Sequence, residues 1–219
     1  MKPWIILPVK DMAGAKQRLA PLLSATERIA LMQVMLRDVL AALSAARSLA
    51  GITLVTLDPW AEALGQEHGA RIITESAREG HTGAVTAAAA VLQAEGVEAI
   101  LTLPGDVPGV KAPEIEALIA VKSSPPVFAI APAHDEQGSN AILMSPPNAV
   151  RLRFGEDSYF PHLASARAVS ITPQILRLPG IAMDIDHPAD IARFAGIPEA
   201  KGTQTLAWLT QNDILNRLA

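Results

Sequence analysis

The chain has 219 residues, no cysteine, and a net charge of −4 from 18 Lys and Arg against 22 Asp and Glu. These values exclude disulfides and thiolate metal centres, and they leave no basic stripe to neutralise a nucleic-acid backbone. No stretch approaches the roughly 20 apolar residues of a membrane span, and the first apolar run stops at Lys10, too short for a signal-peptide core. A soluble cytoplasmic protein, one domain over 1–219, is therefore expected.

Short β-branched or apolar runs alternate with Ala/Leu-rich helical stretches, the pattern of an α/β fold whose mostly parallel sheet is covered on both faces. The expected architecture is a three-layer sandwich. Residues 4–9 read as the first strand. Ser24 with Glu27 three later forms a capping box, opening a helix to about 46 with Ile29, Met32, Leu36, Val39, Leu40 and Leu43 at helical spacing. A second strand over 52–57 stops at Asp58-Pro59. A short helix to His68, a Gly69 cap and a third strand over 70–74 follow. An alanine-dense helix over 83–94 leads to a strand at 98–103, and Pro113 opens a helix over 113–121.

The later rhythm is looser. Strands are expected at 127–131 and 140–144, then a helix over 157–166 capped by Asp157. Weaker strands are expected at 169–171 and in the stretch leading to Met183, and a short helix at 188–194. The tail over 203–219 carries Leu206, Leu209, Ile214 and Leu218, and packs either on the body or on another subunit as a homodimer.

Four groups of residues carry chemistry. Leu103-Pro104-Gly105-Asp106-Val107-Pro108 puts a carboxylate where a buried strand ends, the edge at which open α/β sheets bind ligands. Asp106 either caps a turn or helix, or holds a divalent cation against a phosphate. Lys10, Lys16 and Arg18 crowd the loop after the first strand, either as a solvated basic loop or as a polyphosphate site. Strand alternation puts Asp184 and Asp186 on one face, opposite Ile185, and two facing carboxylates repel unless a cation joins them. Asp190 fits the first turn of the next helix. Gly138-Ser139-Asn140 with Arg153-Phe154-Gly155-Glu156-Asp157-Ser158 is either ordinary turn chemistry or a site for one phosphate or carboxylate. The histidines at 81, 134, 162 and 187 form no metal cluster by spacing and fit packing or surface roles. No serine stands in a Gly-x-Ser-x-Gly elbow.

In this order, the groups resemble the 2-phospho-L-lactate guanylyltransferase family of coenzyme F420 biosynthesis. The matches are Pro8-Val9-Lys10 with Ala15-Lys16-Gln17-Arg18-Leu19, the 103–108 run, Gly138-Ser139-Asn140-Ala141, Phe154-Gly155 with Ser158 and His162, and Asp184-Ile185-Asp186-His187-Pro188-Ala189-Asp190. The resemblance implies a nucleotidyltransferase fold of the glycosyltransferase-A-like kind, with Mg²⁺ as cofactor. It implies GTP and a phosphorylated three-carbon acid as substrates: 2-phospholactate, phosphoenolpyruvate or 3-phosphoglycerate. By similarity, Lys10, Lys16 and Arg18 hold the triphosphate, Asp106 and Asp186 the metal, and Ser139, Gly155 and Ser158 the phosphate of the acid. The family's Gly-Leu-Asn step at the third helix is here Gly83-Ala84-Val85-Thr86, making Gly83 and Thr86 the candidates for base contacts. Serine at 139 and histidine at 187 stand where threonine is common. A downstream transferase would take the reactive product. The alternatives are another nucleotidyltransferase, of the molybdenum-cofactor guanylyltransferase or cytidylyltransferase type, and a non-catalytic nucleotide-binding regulator on the same fold.

Overall fold

The computed structural model describes residues 2–121, 124–155 and 157–218. Four parallel strands, β1 (Trp4–Pro8), β2 (Gly51–Val55), β3 (Arg71–Ile73) and β4 (Ile100–Thr102), begin a seven-stranded sheet. It is completed by β5 (Val127–Pro132), β6 (Ser139–Ser145) and β7 (Gln174–Ile175), in the order β3-β2-β1-β4-β6-β5-β7. Only β6 runs against the rest, pairing antiparallel with both β4 and β5.

Alternation along β1 builds both cores. Ile5 and Leu7 enter a cluster with α1 (Ala25–Ala45), α2 (Pro59–Glu67) and α4 (Ala112–Ile119). Ile6 faces the opposite way, against α3 (Gly80–Ala94) and α5 (Tyr159–Ala168). Both faces being covered, every residue of β5 and β6 is buried. The result is the three-layer α/β sandwich that the alternation of runs implied.

Local chemistry sets the helix starts. Ser24 Oγ accepts from the Glu27 N–H at 3.3 Å, and Glu27 Oε2 accepts from the Ser24 N–H at 2.8 Å. Asp58 Oδ1 accepts from the N–H groups of Trp60 and Ala61, with Pro59 in the first turn. Its second oxygen accepts from Met12 N–H at 3.0 Å, tying the loop after β1 to the end of β2.

Three expectations are corrected. Asp157 does not cap α5: it lies in the left-handed region (φ 55°), and Ser158 occupies the cap position. Residues 169–171 form a turn closed by Val169 N–H to Ala166 and Ser170 N–H to Arg167, with β7 following it. The run to Met183 contains a short helix, α6 (Pro179–Ala182), where a strand was expected. Its cause is tertiary: Glu114 accepts from Gly180 N–H at 2.8 Å, and a Cβ on Gly180 would lie 2.3 Å from the Gly109 carbonyl oxygen.

The chain then passes through α7 (Pro188–Gly196) to α8 (Gln204–Gln211). Asp38 on α1 accepts from the Gln204 and Thr205 N–H groups, each at 2.8 Å, and from the Thr205 hydroxyl at 2.7 Å. This puts a carboxylate at the positive end of α8. The tail thus packs on the body, closing a third apolar cluster of Leu19, Leu31, Met35, Phe194, Leu209 and Ile214. No helix among the described residues is long and apolar enough to cross a membrane.

Candidate active site

Strand order reverses between β1 and β4: the chain from β1 goes on to β2 and that from β4 to β5 and β6, toward opposite edges of the sheet. The crevice above such a point is where α/β sheets hold ligands. The loop after β1 enters it through Lys16, whose left-handed backbone (φ 53°) turns the chain sharply. Lys16 Nζ donates to Asp106 Oδ2 at 2.5 Å and to Asp186 Oδ1 at 2.6 Å. The lysine side chain is only 5% exposed, against 24% for Asp106 and 42% for Asp186. Burial disfavours the ammonium, but the two carboxylates outweigh it and hold its pKa up at about 12. Burial likewise opposes the charge on Asp186. Lys16, with help from Arg18 and His187, overrides it and holds that carboxyl below the usual range.

The backbone fixes these carboxylates. Leu103 N–H donates to the Ile6 carbonyl where β4 ends, and Ile185 N–H donates to the Asp106 carbonyl at 3.2 Å, joining the two aspartate loops. Asp190 Oδ2 accepts from Asp186 N–H at 3.1 Å and His187 N–H at 2.7 Å, which is the first-turn role its position implied. Ile185 is buried between Asp184 and Asp186, so the alternation holds although the segment joins no sheet. Asp184 accepts from Asn140 Nδ2 at 3.0 Å. Burial, followed by the charge on Asp106, pushes its carboxyl up to about 6.

Among the described residues no group of three His, Cys, Asp or Glu forms a metal centre by itself. Magnesium sites need less protein than that: one or two carboxylates, with phosphates and water completing the octahedron. Asp106 and Asp186 already hold one positive nitrogen between them, so the donor set fits a small hard cation.

A second group lies at the start of β6. Ser139 Oγ is 2.9 Å from His162 Nδ1 and accepts from Ser158 Oγ at 3.3 Å. His162 Nε2 accepts from Arg153 N–H at 2.9 Å. Gly155, in the same loop, has φ 134°, a conformation that a side chain would strain. Phe154 N–H donates to Thr82 Oγ1 at 2.9 Å, fastening this loop to α3. The Phe154 ring lies against His81 on one side, with centroids 4.2 Å apart, and meets His162 edge-on at 5.1 Å. Burial pushes both imidazoles down to about 4. Lys10, Val55, Gly80, His81 and Ala84 line a cleft of about 20 Å³, with room for a water rather than a purine.

Lys16, Asp106 and Asp186 are therefore brought together, as are Ser139 and Ser158, with Gly155 in the adjoining loop. Lys10 is exposed at the cleft, and Arg18 is exposed with its charge acting on Asp186. Gly83 and Thr86 do not line that cleft: Gly83 is turned toward Glu79 and Thr86 is exposed. The α3 residues there are Gly80, His81 and Ala84. Spacing alone gave no sign that the histidines at 81 and 162 stand beside the site. Only the Phe154-to-His162 motif marked one of them.

Residues 3–211 match the family described as Guanylyl transferase CofC like. A phosphoenolpyruvate guanylyltransferase of Roseiflexus sp. strain RS-1 is 37% identical, covering 92% of this chain and 89% of its own. One of Sphaerobacter thermophilus is 35% identical, covering 87% and 91%. A 3-phospho-D-glycerate guanylyltransferase of Colwellia psychrerythraea is 31% identical, covering 89% and 92%. Among solved structures, one from Desulfovibrio desulfuricans G20 superposes with a TM-score of 0.76 at 19% identity, covering 99% of this chain and 98% of that one. A 4-diphosphocytidyl-2C-methyl-D-erythritol synthase superposes with a TM-score of 0.61 at 14% identity, covering 88% and 95%. At such identities the superpositions speak to fold, and the fold is that of nucleotidyltransferases.

Proposed function

Because the chain belongs to the family described as Guanylyl transferase CofC like, we propose that it joins GMP from GTP to a phosphorylated three-carbon acid and releases pyrophosphate. The acid is phosphoenolpyruvate, 3-phosphoglycerate or 2-phospholactate. The observation that carries this reading is the pair of aspartates at the switch point sharing one buried cation, Lys16 Nζ. The names of the Roseiflexus and Colwellia relatives support the substrate class.

Asp106 and Asp186 would hold Mg²⁺, which when bound supplies a Lewis acid at the α-phosphate and neutralises the triphosphate. Lys10, Lys16 and Arg18 neutralise the departing pyrophosphate. Ser139 grips the phosphate of the acid, Ser158 supports it through its own hydroxyl, and the glycine at 155 lets backbone approach it. Gly83 and Thr86 belong to the helix that flanks the base. A phosphate monoester has a second pKa of about 6, so it arrives already ionised and needs no general base. Its oxygen forms the new bond to the α-phosphorus while the bond to the β-phosphate oxygen breaks, and both electrons leave with pyrophosphate. Catalysis is then positioning and charge stabilisation. The product is a mixed diphosphate, a donor for a downstream transferase in coenzyme F420 biosynthesis.

The test is incubation with GTP, Mg²⁺ and each of the three acids, measuring pyrophosphate. Release with one acid and not with ATP or CTP is expected. Silence with all three overturns the reading, and nucleotide binding without turnover favours a regulatory protein.

A further inference from the structure

His162 is fully buried in the first turn of α5, yet both of its ring nitrogens are committed. Nε2 lies 2.9 Å from the backbone nitrogen of Arg153. An amide N–H only donates, so Nε2 must offer its lone pair. The ring proton then sits on Nδ1, and Nδ1–H donates to Ser139 Oγ at 2.9 Å. Ser158 Oγ donates to the same oxygen at 3.3 Å. A hydroxyl oxygen has two lone pairs and one proton. With both lone pairs of Ser139 taken, its proton points away from His162 and Ser158, and no described residue accepts it.

We propose that His162 is a positioning residue for the acid substrate: it locks the Ser139 hydroxyl as an outward donor to an anionic oxygen, and holds the 153–158 loop at the same time. A freely turning serine would meet a phosphate oxygen with a lone pair as readily as with a proton. The lock removes that ambiguity before the ligand arrives, so less ordering remains to be done on binding. It also gives the site a preference for an oxygen that carries charge and no proton. A charged imidazole would lose the Arg153 contact, and burial, with its pKa near 4, keeps the ring neutral across the working range. The inference rests on the assignment of Ser139 to the acid, with Ser158 behind it.

Two measurements on the full chain test it. In ¹⁵N-histidine spectra of the wild type, with the His162 ring identified by its through-space contact to the Arg153 amide, an Nδ1–H tautomer unchanged down to about pH 5 is expected. An Nε2–H tautomer or a charged ring overturns the proposal, and this measurement stands even if the variant folds poorly. In steady-state assays, His162→Phe should raise KM for the preferred acid about tenfold, the loss of one hydrogen bond to a charged group. KM for GTP should stay within about twofold. Ser139→Ala should do the same, and the double variant should be no worse than Ser139→Ala alone. If Ser139→Ala raises KM for the acid and His162→Phe does not, the positioning role fails while the acid site stands. If Ser139→Ala leaves it unchanged, the acid site itself fails and takes the proposal with it. Equal losses for GTP and acid reduce His162 to a structural residue.

Discussion

Replacing Lys16 with methionine keeps most of the side chain's volume and removes only its charge. Asp106 and Asp186 each lie about 2.5 Å from that ammonium, so without it they face one another across roughly 5 Å at most. At an effective dielectric constant near 20, two like charges at that separation repel by about 3 kcal/mol. Both carboxylates have some access to water, at 24% and 42%, which brings the penalty to about 2 kcal/mol. In a 219-residue chain that lowers Tm by roughly 4–8 °C. The loss should appear in EDTA and vanish in millimolar Mg²⁺, since a divalent cation on the same oxygens cancels the repulsion. The wild type should gain less from Mg²⁺, because the cation must first displace an ammonium. Thermal unfolding of both proteins, with and without metal, decides it. If Lys16→Met melts with the wild type in EDTA, or if Mg²⁺ raises both by the same amount, the two aspartates do not form a shared cation site.

Three further outcomes are expected. Asp106→Asn should cut pyrophosphate release at least about 100-fold while the far-UV circular dichroism spectrum is retained, since only site charge is lost; turnover like the wild type's would remove Asp106 from the metal site. Asp38→Ala strips three donors at the start of α8 of their acceptor and should cost about 2 kcal/mol in urea unfolding. Limited proteolysis should then clip the tail first, and cleavage elsewhere would show that α8 is held by its apolar face alone. Glu27 is held down to about 2 by Ser24 N–H, the Ser24 hydroxyl and Arg217. A depressed carboxyl stabilises above its unfolded value and loses that contribution as pH falls through its folded one. The urea midpoint of the wild type should exceed that of Glu27→Gln at neutral pH, by about 1 kcal/mol, and the gap should close between about pH 4.5 and 2. A gap independent of pH would count against the ion pair and the cap.

What local chemistry controls was legible in the sequence. Ser24 with Glu27, and Pro113, each mark a helix start from within a few residues, and both stand where expected; Asp58-Pro59, read as a strand's stop, also caps the helix that follows. The failures have non-local causes. The stretch to Met183 contains a helical turn because Glu114 and the Gly109 backbone, some seventy residues earlier, meet Gly180. Asp157 looked like a cap by type, but Ser158 holds that position and turns its hydroxyl to Ser139 on another strand. In the site, the acidic and basic groups were visible as motifs, but their meeting was not. Lys16 lies 90 residues from Asp106 and 170 from Asp186, and no periodicity spans such distances.

Phe154 touches His81 beside the Lys10 cleft and His162 behind the two serines. Its backbone is bound to Thr82 of α3 as well. If the nucleotide lies over the Lys10 cleft and the acid at the serines, as proposed, the choice of one and the choice of the other are not separate modules that evolution or an engineer can exchange one at a time. A substitution around the serines that admits a bulkier substrate would shift this ring, and the shift would be felt at His81 and the Lys10 cleft. Relatives that took up a new acid would have had to retune both sides of Phe154 together, leaving correlated changes at 81, 82 and 162 as the trace of that history.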